Sequence, residues 1–220
     1  MALPPLSLAQ LQKVLAETAA PDALYDILSS YEDETCLQFT QAAVTGDRAL
    51  LSAFYASFLF SHLLIDDIQE ARALTHRMPP TMVEDDPVLQ NSIAVLRSIW
   101  QNKYSETYEI LRNQPWPEPV SIIVQRFDEF YAEKSFKNIS RIYESIRPEV
   151  AAEYLGLDKI ANHTTSSELI NTLVNKGWEW DTEKGLFRPH VPVEPLRVNA
   201  SRKPLDEIGR IIGLASIQAS

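Results

Sequence analysis

Cysteine occurs once in the 220 residues, at Cys36. One thiol excludes an internal disulfide and cannot furnish a zinc site built on two or four cysteines. The sparing use of cysteine fits a reducing compartment, so the expected location is the cytoplasm and nucleus. Glycine is scarce as well, with six residues. Neither G-x-x-x-x-G-K-[ST] nor G-x-G-x-x-G is present, so no phosphate-cradling loop is legible. The four histidines, His62, His76, His163 and His190, are scattered, and no H-x-H or H-E-x-x-H pairs two on one face. G-x-S-x-G is missing. The acidic clusters Glu32–Glu34 and Glu84–Asp86 lack the alternating ligands and glycine of a calcium loop. No apolar run reaches the roughly 18 residues of a membrane span. The start, MALPPLSL, has no basic n-region. The expectation is a chain with no catalytic residues, no cofactor and no metal.

Positive charge is also in deficit. Twenty Lys and Arg stand against thirty Asp and Glu, a net charge of −10. Residues 1–136 hold nine bases and nineteen acids, which accounts for all of it. Such an arm disfavours nucleic acid and anionic membrane as partners. Its acidity reads either as a solvated helical surface or as an acidic docking surface.

What is present is helix. Apolar residues make up 45% of the chain, enough for a core. Periodicity predicts a helix over Leu6–Thr18, one opening at Pro21-Asp22, and one over Cys36–Val44 that Gly46-Asp47 ends. Cys36 reads as a small packed hydrophobe. Leu50–Ile65 is apolar almost all round, the mark of a helix buried between neighbours. His62 within it reads as a packed histidine rather than a ligand. Asp66-Asp67 caps a helix running to Met78, which Pro79-Pro80 ends. Further helices follow through Val88–Trp100, Glu106–Asn113 and, after the proline-rich QPWPEP, Val120–Ala132. Repeated helix, short turn, helix is the pattern of stacked helical pairs, though no strict period is visible.

The stretch Ser135–His190 changes character. Phe136, Ile139, Ile142, Tyr143 and Ile146 recur at helical spacing. After a short extended bit, Pro148 opens a helix that Gly156 stops. Ser166 or Ser167 caps another, ended by Gly177. Trp178, Trp180, Leu186 and Phe187 flank DTEKG, a hairpin-like turn. Helix, helix, helix and hairpin in this order make a winged helix. Trp178 is expected to pack the wing onto the preceding, recognition helix. That helix holds only Glu168 and Lys176 as charges, and Lys137–His190 carries seven bases against eight acids. It cannot neutralise phosphates, so a protein-facing module is expected rather than a DNA reader. The wing's outer strand, taken as the one leading into Pro189, carries unpaired backbone groups that a neighbour's strand can extend, with Pro189 and Pro192 limiting how far the pairing runs. Residues 191–204 are a proline-rich linker. Residues 205–220 return to an amphipathic helix with Leu205, Ile208, Ile211, Ile212 and Ala215 on one stripe.

The expected fold is mainly α: a helical-repeat, TPR-like arm over 1–134, a winged-helix subdomain over 135–190, the linker and a C-terminal helix. That layout resembles the PCI domains, scaffold modules of the proteasome lid, the COP-nine signalosome and translation initiation factor three. The residues that carry the likeness are IWQNKYSETYEILRNQPWPEPV (Ile99–Val120), ISRIYESI (Ile139–Ile146), VAAEYLGL (Val150–Leu157) and NKGWEWD (Asn175–Asp181). Within the group the chain is most similar to the family of the smallest, eighth signalosome subunit. The resemblance implies a non-catalytic scaffold subunit of the complex that removes Nedd from cullins, whose zinc lies on an MPN subunit. It implies a hetero-oligomer with other PCI-domain and MPN-domain subunits. It places interaction surfaces at the wing edge (Trp178, Trp180, Leu186, Phe187) and on the C-terminal helix (Leu205, Ile208, Ile211, Ile212, Ala215), which would join a helix bundle. The alternatives are a PCI subunit of the proteasome lid or of initiation factor three, and a winged-helix nucleic-acid regulator.

Overall fold

The central element is α3 (Arg48–Leu64), in which every residue from Leu50 to Leu64 is buried. A helix with no polar face is stable only when others surround it. In the computed structural model, which describes residues 4–42, 48–157 and 166–190, α2 (Pro21–Ala42), α4 (Ile68–Arg77), α6 (Pro87–Trp100) and α8 (Val120–Ile142) pack around it. Aromatic contacts fill the seams. Phe60 lies 5.5 Å from Phe127 and 5.6 Å from Trp116, measured between ring centroids. The linker 191–204, the stripe Leu205, Ile208, Ile211, Ile212 and Ala215, and the side chain of Cys36 lie outside the described residues. No described helix is long and apolar enough to cross a membrane.

Local chemistry sets the helix ends. Ser7 caps α1 (Leu8–Glu17) by accepting the Gln10 amide at 3.2 Å. Asp67 caps α4 through the Glu70 amide at 3.1 Å. Asp86 caps α6 through the Val88 and Leu89 amides, with Pro87 in the first turn. Arg126 of α8 donates to the Thr18 and Ala16 carbonyls at 2.7 and 3.3 Å, tying the C-terminal end of α1 to the core. Between α6 and α7 (Tyr104–Asn113), the buried Ser98 and Thr107 hydroxyls satisfy each other at 2.8 Å.

Three elements differ from the sequence expectation. Pro21–Ala42 is one helix of 22 residues, not two, because nothing between Leu28 and Cys36 breaks it. Pro79-Pro80 ends α4 but also opens a short helix, α5 (Pro80–Asp85), since proline suits a first turn. The expected helices over Val120–Ala132 and Phe136–Ile146 are one, α8, which stops at Ile142. Glu133-Lys134-Ser135 contains no breaker, so the two apolar stripes share a single rod. That rod serves two apolar clusters. One runs from Leu6 to Tyr131 and fills the helical arm. The other includes Phe136, Ile139, Ile146, Leu173, Trp178 and Phe187.

Beyond α8 come α9 (Pro148–Leu155), α10 (Ser166–Asn175) and a two-stranded hairpin, β1 (Glu179–Asp181) and β2 (Leu186–Arg188). All described residues belong to one compact unit.

Candidate functional site

The hairpin is launched by a helix-ending motif. At the end of α10 the Gly177 amide donates to Val174 O and the Trp178 amide to Leu173 O, a Schellman arrangement with Gly177 at φ 98. This turn aims Trp178 into the core, where it is 1% exposed. Its ring stacks 5.2 Å from Phe136, and its indole N–H donates to Ser140 Oγ at 2.9 Å. Both partners lie on α8. The tryptophan therefore clamps the wing to α8, where the sequence pointed only to the recognition helix.

After Trp178 the chain enters the hairpin. Asp181 holds its turn: Oδ1 accepts the Glu183 and Lys184 amides, and Oδ2 pairs with Arg188 at 2.9 Å. The Lys184 amide, backed by Arg188, lowers the Asp181 pKa. Register pairs Glu179 with Arg188, Trp180 with Phe187 and Asp181 with Leu186. Phe187 also exchanges both backbone hydrogen bonds with Ile146, each at 2.9 Å. Ile146 thus acts as a third strand, so β2, which leads into Pro189 and was expected to be the outer strand, is the middle of the sheet. In an antiparallel ladder hydrogen-bonded and non-hydrogen-bonded pairs alternate. Since Phe187 turns its N–H and C=O toward Ile146, those of Trp180 point outward on the free edge of β1.

The four wing residues singled out from the sequence divide accordingly. Trp178 and Phe187 are fully buried and support the wing from inside. Trp180 and Leu186 are partly exposed, with the Trp180 ring 4.8 Å from Phe187. The open edge is a strip of backbone centred on Trp180, with the exposed Glu179 side chain beside it. Sequence reasoning missed Ile146, whose apolar spacing placed it on the preceding helix. The short extended bit before Pro148 was the signal that could have found it.

Helix α10 presents exposed Glu168, Asn171, Val174 and Asn175. Lys176, just after it, lies over the Phe136 ring at 5.4 Å. The described part of this helix has no row of cations for a phosphate backbone.

A second arrangement fixes α9 against α7 and α8. At the end of α9 the Leu157 amide donates to Ala152 O, and Gly156 adopts φ 63. A Cβ on Gly156 would collide with the Tyr108 ring on α7. Arg112 covers the spot: its guanidinium grips Asp128, donates to Gly156 O at 2.6 Å, and sits 4.6 Å above the Tyr108 ring. Tyr131, Tyr104, Tyr154 and Tyr143 continue the seam in successive ring contacts. Burial pushes the Tyr131 phenol up to about 12, so it stays neutral.

A family model described as the CSN8/PSMD8/EIF3K family matches residues 49–195. The chain is similar to COP9 signalosome complex subunit 8 of Emericella nidulans, with 41% identity over 220 residues covering all of both chains. It is similar to the protein of the same name from Danio rerio, 23% identical over 170 residues, 77% of this chain and 85% of that one. The Dictyostelium discoideum protein of that name is 26% identical over 171 residues, 77% of this chain and 83% of that one.

Proposed function

The chain belongs to the CSN8/PSMD8/EIF3K family, and from that premise we propose that it is a non-catalytic subunit of a COP9 signalosome, supporting assembly of the complex that removes Nedd from cullins. The observation that carries this reading is full-length similarity to a signalosome subunit 8. The partners it implies are the other PCI-domain and MPN-domain subunits, in the cytoplasm and nucleus.

The wing edge is the docking element. A partner strand laid along β1 would take the outward N–H and C=O of Trp180. Glu179 at its rim favours a strand bearing Lys or Arg. Trp178 and Phe187 act from within by holding the edge in place. The apolar stripe of residues 205–220 is the second docking element, suited to a helix bundle shared with other subunits.

Purification of the tagged chain from its own cells, followed by mass spectrometry, tests the reading. Signalosome subunits in stoichiometric amounts are expected. Recovery of proteasome-lid or initiation-factor subunits instead would overturn it.

A further inference from the structure

A groove of about 450 Å3 opens where α3 turns into α4, beside the middle of α8. Its floor is apolar, made by Leu64, Ile65 and Phe130. Its wall is α8, which contributes Lys134, Lys137 and Arg141 at i, i+3 and i+7, the spacing that places three side chains on one face. Lys134 pairs with Asp66, and Lys137 with Glu133 at 2.9 Å. Arg141 is exposed and has no carboxylate partner among the described residues. The groove is therefore net positive on a chain whose net charge is −10. Both ion pairs are open to water, with Asp66 and Glu133 side chains 53% and 68% exposed. Such pairs hold weakly and exchange readily for an incoming carboxylate.

We propose that this groove docks an acidic, apolar-anchored peptide segment of a partner protein. An aliphatic side chain covers Ile65 and Phe130, while flanking carboxylates reach Arg141 and Lys137. A nucleic-acid backbone suits the groove less, because the apolar floor of Leu64, Ile65 and Phe130 offers a sugar–phosphate chain no partner and the chain as a whole, at −10, repels polyanions. The inference is independent of which complex the chain joins and of the wing edge, since no groove residue lies on β1 or β2.

The test uses the full chain and a short fluorescein-labelled peptide with leucine and glutamate at helical spacing, followed by fluorescence anisotropy. The same peptide with lysine for glutamate, and a thymidine oligonucleotide, serve as comparisons. Saturable binding of the glutamate peptide is expected, weakened about tenfold by Arg141→Glu and further by adding Lys137→Glu. Both changes are on the surface, so the melting temperature should hold. Lys184→Glu at the wing turn should leave binding intact. Any of four results would overturn the proposal: no saturable binding at millimolar chain, equal binding of the lysine peptide, tighter binding of the oligonucleotide, or unchanged affinity in Arg141→Glu.

Discussion

His62 lies on α3, 1% exposed, with neither ring nitrogen hydrogen-bonded among the described residues. The rings of Phe58 and Tyr25 flank it at 4.6 and 5.1 Å. Burial lowers its pKa below 6.5, against the opposing pull of Asp67, Glu70 and Glu32 and with the help of Arg77. A depressed histidine pKa means the unfolded chain binds the extra proton first. Its stabilising effect is complete above the unfolded pKa and is lost as pH falls from there through the folded one. Melting temperatures of wild type and His62→Leu, compared between about pH 7 and about pH 5, should show the steeper loss in wild type. Parallel curves would remove His62 from the account. The two glycine stops offer a paired test. At Gly177 a Cβ meets nothing within 4 Å, so Gly177→Ala should cost only the left-handed strain of about 1–2 kcal/mol. Gly156→Ala adds a collision with the Tyr108 ring and should cost distinctly more in chemical denaturation. Trp178→Ala removes a buried ring and orphans Ser140, for an expected loss of about 3–5 kcal/mol.

At the scale of elements, the wing sheet has the order Ile146, β2, β1, so among the described residues the open edge on the hairpin side is that of β1. Hydrogen exchange resolves this residue by residue. The Trp180 amide should exchange fast in the isolated chain, while the Phe187 amide, bonded to Ile146, should be protected. On assembly the Trp180 amide should slow. Equal exchange free and bound would count against strand addition at β1. The hairpin itself was readable, because DTEKG between apolar pairs is strong turn chemistry. The merger of two expected helices into α8 was not. Apolar spacing marks which face is buried, and both stripes fit one helix once no breaker intervenes. The third strand escaped for a related reason: a single residue pair at Ile146 leaves no period, and the short extended bit before Pro148 was its one trace.

For the whole molecule, the seam of Arg112, Asp128, Gly156 and Tyr108 joins α9 to α7 and α8. Arg112→Lys keeps the charge but loses the planar fork that spans Asp128 and Gly156 O. It should loosen α9 against α7, seen as faster exchange in α9 with the helices around α3 unchanged. Uniform exchange in both variants would deny the seam this role. The stripe Leu205, Ile208, Ile211, Ile212 and Ala215 carries the last prediction. Burying it offers a gross gain on the order of 10 kcal/mol, much of which association costs offset. Deleting 204–220 should leave the isolated chain folded yet abolish its stable incorporation into the complex. Normal incorporation, or a collapse of the isolated fold, would refute that.

The amino-acid sequence alone determined the helical class, the all-buried α3, the Schellman stops at Gly156 and Gly177 and the hairpin turn. All are set by residues within a turn or two of one another, where backbone sterics and apolar periodicity act directly. Tertiary structure decided which edge of the wing stays open, that Trp178 and Phe187 face inward, and that Lys134, Lys137 and Arg141 line a groove with Ile65. These outcomes depend on pairs such as Ile146 with Phe187 and Trp178 with Ser140, which approach only once α8 and the hairpin pack together. Separation along the chain hides them from any local pattern.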